Sequence, residues 1–319
     1  LGQEVVPNSG CGSWLLEPQS TNLNTLSNPT DAQKGSTNYS SVTYQDNYNW
    51  GLGDLINNAI VFGDNSTTRY AYYNSTVVNG TEYTLSVFIK MDDNSVPIPA
   101  TDFFFVLSAS AIVSGYNVES YGNNIYRVSV SSTSSTNLTA NGILKVASNS
   151  TKGFKISAFQ IEQGSYATSY IPTQGAISTR LADIATNSGN ASLINSEEGT
   201  LYVETQALID SGSTRYLSLT DGTSSNRMSI VFGSSSNQIR FLVYNGVVQS
   251  DIQTFSYSQT DMNKIAFRYA QNNFSLWVNG VKVGENLSGD VFALNTLSFD
   301  LGNNSLKWIG KTKALAVYK

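Results

Sequence analysis

The chain has 319 residues, enough for two domains each with its own core, and carries a net charge of −5 with a pI near 4.8. Only 13% of its residues are charged, so no basic stripe exists to displace counterions from phosphates, which argues against nucleic acid or a membrane surface as partner. Histidine is absent and Cys11 is the one cysteine, which removes imidazole-based catalysis, an intrachain disulfide and a zinc cluster. No apolar run approaches the roughly 18 residues of a membrane helix. The opening LGQEVVPNSG lacks the basic start and apolar core of a signal peptide.

In chain order the signals are those of strands. Residues 20–80 give polar turns such as NYSSVTYQDNYNWG, alternating with short apolar pieces such as AIVFG. The pattern then sharpens into YTLSVFIKM (83–91), FFFVLSASAIV (103–113), IYRVSVSS (125–132), GILKVAS (142–148) and FKISAFQI (154–161). Short segments rich in β-branched and aromatic residues, separated by Asn, Gly and Ser, predict antiparallel strands. The last alternates as Phe154, Ile156, Ala158 and then Phe159, Ile161, breaks at Gly164, and gives way to a polar ramp ending at Pro172. A second set follows: GTLYVETQALI, RYLSLTD, RMSIVFG, QIRFLVYNG, NKIAFRYAQ, FSLWVNGVKVG and LKWIGKTKALAVYK. The Asn-Gly of VNGVKV is a strong hairpin signal. The expected architecture is all-β, two tandem antiparallel β-sandwiches, with domains at 1–175 and 176–319.

Two sets of residues suit a sugar, whose apolar ring face stacks on Trp or Tyr while amides and Arg meet its hydroxyls. In YQDNYNWG (44–51), Tyr44, Tyr48 and Trp50 alternate with Asp46, Asn47 and Asn49, and RYAYYN (69–74) is similarly aromatic. These rings line a ligand cleft or fill a core. In the second half, period-2 alternation sets Phe241, Val243, Phe267, Leu276 and Val278 against Arg240, Tyr244, Arg268 and Trp277. If their strands share a sheet, those four make one outer face for an anionic or hydroxylated ligand or a neighbouring subunit. The Glu-x-Asp-x-x-Glu pattern of sandwich glycosidases is missing, and the chain is expected not to be an enzyme.

LLEPQSTNL (15–23), YTLSVFIK and FKISAFQIEQGSYATSYIPTQGAISTRLAD resemble a module of bacteriophage appendage proteins, the tail-fibre and head-fibre type. The signature stands as Gln160, Ile161, Glu162, Gly164, Thr168, Ser169, Tyr170, Ile171, Pro172 and Thr173. The resemblance implies a carbohydrate-binding-module-like jelly roll in the first domain. The second domain is similar to laminin-G-like, concanavalin-type sandwiches. In such jelly rolls a calcium ion often bridges the first and last strands, which makes Glu17 and Glu162 candidate metal ligands, the alternative being that each bonds a neighbouring backbone turn. The implied function is a non-enzymatic virion fibre or spike component, exposed at the virion surface, that engages a host-surface glycan or receptor. Other virion subunits and a homo-oligomer are its further implied partners. Two alternatives stand beside it, a purely structural virion protein and a capsular polysaccharide depolymerase.

Overall fold

The computed structural model describes residues 13–53, 56–64, 66–137, 139–185, 189–210 and 212–318, so Cys11 lies outside them. The chain divides into two compact units, Gln19–Leu181 and a discontinuous one made of Leu1–Pro18 with Ala182–Lys319. Both are antiparallel β, and among the described residues the helical content is one 3-10 turn, Asp31–Ser36.

The Gln19–Leu181 unit holds a six-stranded sheet in the order Tyr116–Ser120, Tyr126–Thr133, Glu82–Met91, Phe154–Gln163, Ala59–Phe62, Thr43–Gln45. A five-stranded sheet runs Thr37–Ser40, Arg69–Asn74, Ala140–Lys145, Phe104–Leu107, Ser110–Ala111. The core is aromatic: Phe62 stacks on Phe154 at 4.7 Å and Tyr73 on Phe159 at 4.5 Å. Alternation alone would turn Phe159 away from Phe154 and Ile156. A β-bulge between Ser157 and Gln160, with Ala158 at φ +55°, resets the parity and returns Phe159 and Ile161 to the same core. Ala158 instead joins a smaller cluster with Trp50 and Phe88.

In the discontinuous unit a six-stranded sheet runs Trp14–Leu16, Gly310–Tyr318, Glu198–Ala207, Asn263–Ala270, Asn273–Val278, Val281–Asn286. Its partner sheet runs Val248–Thr254, Ile239–Asn245, Asn226–Phe232, Arg215–Thr220, Thr296–Ser298. Alternate residues of both sheets fill one core, in which Phe241 of one stacks on Phe267 of the other at 4.2 Å.

The units divide at 18/19 and 181/182, whereas the expected boundary was 175/176. Three-residue strands account for the difference. Ser178–Arg180 pairs with Ser20–Asn22, keeping the chain in the first unit as far as Leu181. Trp14–Leu16 pairs with the final strand, Gly310–Tyr318, and the Asp183 backbone N–H donates to the Glu17 carbonyl at 2.9 Å. Strands this short carry too little periodicity to be read from a sequence.

The buried tyrosines set an alkaline limit on stability. Burial pushes the phenols of Tyr170 and Tyr269 up to about 12, and that of Tyr73 well above its ordinary value of 10.0. In the unfolded chain these groups ionise near 10, so the native state holds its protons more tightly. Their contribution is complete below pH 10 and is lost as pH rises toward 12. The expected result is a spectrophotometric titration in which these tyrosines ionise only as the far-UV circular dichroism collapses. Full ionisation of all 18 tyrosines with the fold intact would contradict it.

Candidate functional site

The outer face of the six-stranded sheet in the discontinuous unit presents a regular array of exposed side chains. Along Asn263–Ala270, Ile265, Phe267 and Tyr269 point into the core, so Lys264, Ala266 and Arg268 point out. Along Asn273–Val278, Phe274, Leu276 and Val278 are buried, and Trp277 faces outward with 40% of its surface exposed. Leu201 and Val203 bury in the same way, leaving Thr200, Tyr202 and Glu204 outward.

Register then brings these residues together. Trp277 lies opposite Ala266, Ala266 opposite Tyr202, and Tyr202 opposite Ala316. This row crosses four strands and alternates a ring with a methyl group. The two rings are two interstrand steps apart, roughly 10 Å, with shallow floor between them. The indole leans along its own strand, its Nε1 donating to Ser275 Oγ at 3.3 Å. Ser275 and Thr200 flank Arg268 in the next row. Lys282, opposite Trp277, pairs with Glu285, and Lys313 pairs with Glu204 at 3.0 Å.

Arg240 and Tyr244 do not share this face. Their strand, Ile239–Asn245, belongs to the five-stranded sheet, so the expected single face of Arg240, Tyr244, Arg268 and Trp277 is two faces on two sheets. Period-2 alternation separates inward from outward in each strand, but both sheets of a sandwich turn polar residues outward, so alternation cannot say which sheet a strand joins. On its own face Arg240 grips Asp251 through Nε at 3.1 Å and Nη2 at 2.7 Å. The Tyr244 ring lies 4.5 Å from the Arg227 guanidinium, which also approaches Tyr216 at 5.9 Å and donates to the Ser224 carbonyl. Burial lowers the pKa of Arg227.

In the Gln19–Leu181 unit the three aromatic candidates part company. Trp50 is 2% exposed, packed among Ile56, Ala59, Phe88 and Ile125, with Nε1 donating to the Asn58 carbonyl at 3.0 Å. It is a core residue and not a ligand platform. Tyr48 packs edge-on against Trp50 at 5.1 Å, and Tyr44 sits half-buried against the main core beside Tyr39. Of RYAYYN, Tyr73 is core, whereas Tyr70 and Tyr72 stack on each other at 4.7 Å and remain half-exposed. The polar members of YQDNYNWG are better placed than its rings. Asp46 and Asn47 line an open cleft of about 440 Å³ with Asn28, Asn57, Asn58 and Gln174. Asn28 orients this wall, donating to Asn57 Oδ1 at 2.9 Å and accepting from the Asn58 backbone N–H at 3.1 Å. The last four residues carried no signal in the sequence, because separate loops deliver them.

Glu17 and Glu162 fall in different units. The Glu162 carboxylate accepts from Ser20 Oγ at 2.5 Å, from the Thr168 backbone N–H at 3.1 Å and from Thr168 Oγ1. Gln160 accepts from the Ile171 N–H at 2.7 Å, and Tyr170 shares a hydrogen bond with Ser27 at 2.6 Å. The signature therefore straps the 164–173 ramp to its own sheet. At Glu17, the backbone N–H donates to Asp183 Oδ2 at 2.9 Å. Among the described residues no three of His, Cys, Asp and Glu gather as a metal site, and the Glu162 carboxylate is already engaged by hydroxyl and amide donors.

No family model and no curated protein matches the chain. Among solved structures it is similar to the Ruminococcus gnavus IT-sialidase CBM40 bound to α2,3-sialyllactose, at 14% identity and TM-score 0.33, over 43% of this chain and 87% of that one. Xenopus laevis galectin-Ib matches at 14% identity and TM-score 0.30, over 43% of this chain and all of its own. Domains LG4-5 of the mouse laminin alpha1 chain match at 10% identity and TM-score 0.30, over 82% and 89% of the two chains.

Proposed function

We propose that the chain is a non-enzymatic component of a bacteriophage virion appendage, exposed at the virion surface, whose β-sandwiches bind a host-surface glycan. The phage setting rests on the resemblance of the Gln160–Thr173 signature to fibre modules. The binding role rests on one observation, the row Trp277–Ala266–Tyr202–Ala316 laid open across four strands. A flat row of rings and methyls stacks pyranose faces but supplies no positioned acid and base. The acids beside it, Glu204 and Glu285, are paired with lysines.

The test is a glycan-array screen of the full chain, followed by affinity measurement on the best ligand. Trp277→Ala removes a stacking platform worth roughly 0.5–1.5 kcal/mol, by analogy with aromatic pairs. Affinity should fall several-fold while the melting temperature hardly moves, because the indole is outside the core. Release of shortened products from a bound polysaccharide would instead favour a depolymerase. A silent array together with tight binding to virion subunits would favour a purely structural role.

A further inference from the structure

We infer that the ligand of the Trp277 face is an acidic polysaccharide, laid across the strands, whose charged groups meet Arg268 and Lys264; this rests on the reading of that face as a glycan platform. The protein is acidic overall, at −5, yet the central strand of this face presents two cations to solvent. Lys264 and Arg268 stand two residues to either side of Ala266, each about 7 Å from the row along the strand. Both are exposed.

Neither cation has a carboxylate within ion-pair distance among the described residues. The residues facing Arg268 across the sheet are Ser275 and Thr200, which are small and uncharged. Among the described residues no carboxylate comes within ion-pair distance of it, Glu198 on the neighbouring strand included. Glu204 lies opposite Lys264 in register but turns its carboxylate to Lys313 at 3.0 Å. Lys282, at the far end of the row, is matched by Glu285. The ion pairs of Lys282 and Lys313 thus leave Arg268 and Lys264 without a paired carboxylate among the described residues.

The geometry selects the ligand. Two rings roughly 10 Å apart match the length of a disaccharide unit in an extended chain, so alternate sugars can stack on Trp277 and Tyr202. A chain on that line projects its substituents sideways, along the strands, toward Arg268 on one side and Lys264 on the other. Arg268 offers a planar fork suited to a carboxylate or sulfate. Nucleic acid, with a charge at every phosphate, needs a continuous basic stripe, and this acidic protein offers on the face only the cations named above among its described residues. A protein partner anchors best in an enclosed pocket, and this row is open and flat.

The experiment is calorimetric titration of the full chain with oligogalacturonate and with a sulfated glycosaminoglycan oligosaccharide. Neutral cello-oligosaccharide of the same length serves as comparison, at low and high salt. The expected result is that one acidic oligosaccharide binds better than the neutral one and weakens with salt. Arg268→Gln and Lys264→Gln should each lower that affinity several-fold at unchanged melting temperature. Equal binding of acidic and neutral chains, lost in Trp277→Ala but untouched in Arg268→Gln, overturns the acidic ligand and leaves the glycan platform standing. No binding of any of the three overturns this inference, and failure of the glycan array as well would overturn the platform. A concentration-dependent dimer broken by Trp277→Ala assigns the face to a second copy and overturns both.

Discussion

Trp50→Ala is expected to lower the stability of the Gln19–Leu181 unit by about 3–5 kcal/mol, the usual cost of truncating a buried tryptophan. The ring fills the smaller core between Ile56, Ala59, Phe88, Ile125 and Ala158. Ala59, Phe88 and Ala158 are held in strands and cannot collapse into the cavity that it would leave. The change also strips the Asn58 carbonyl of its indole donor, which adds to the loss. Chemical denaturation should show the transition of this unit moved to much lower denaturant, with the discontinuous unit unaffected. A loss under 1 kcal/mol, accompanied by weakened glycan binding, would return Trp50 to the ligand surface.

Glu162→Ala should cost the same unit roughly 2–3 kcal/mol, because it leaves buried donors of Ser20 and Thr168 without their acceptor. Glu162→Gln keeps the shape and one acceptor oxygen, so it should cost distinctly less. The strap model makes a second statement about the same residue. Chelator should leave the unfolding midpoint of the wild type where it is, since hydroxyl and amide hydrogens already occupy the carboxylate. A midpoint that falls on adding EDTA and recovers with calcium would restore the bridging ion.

How far the site was legible varies from residue to residue. Trp277 and Arg268 were placed correctly on the outside, because a strand with Phe274, Leu276 and Val278 inward has no choice about its alternate positions. Tyr202 was missed although the same rule applies to LYVET, since its value lies in facing Ala266 and Ala316, which only register reveals. Trp50 misled for a related reason. An aromatic among Asn and Asp looks like a binding loop, but the residues that bury it, Phe88, Ile125 and Ala158, come from segments distant in sequence. Two of the polar neighbours that made the loop look like a site, Asp46 and Asn47, do line a cleft; its ring does not.

Local chemistry by itself determined that this chain is all-β, that it restarts after Pro172, and which side of each long strand faces a core. Those properties follow from alternation over six or more residues and from turn residues between them, and no distant contact is needed to set them. The bulge at Ala158 was written in the same way, as two apolar residues in succession where the period allows one. Tertiary structure alone decided which strands share a sheet, which separated Arg240 and Tyr244 from Arg268 and Trp277. It also decided that Trp14–Leu16 joins the final strand across nearly the whole chain, and that the Glu162 carboxylate straps Ser20 and Thr168 to the sheet. Pairing between remote segments depends on the summed fit of two sheets around one core, and no window of neighbouring residues contains that sum.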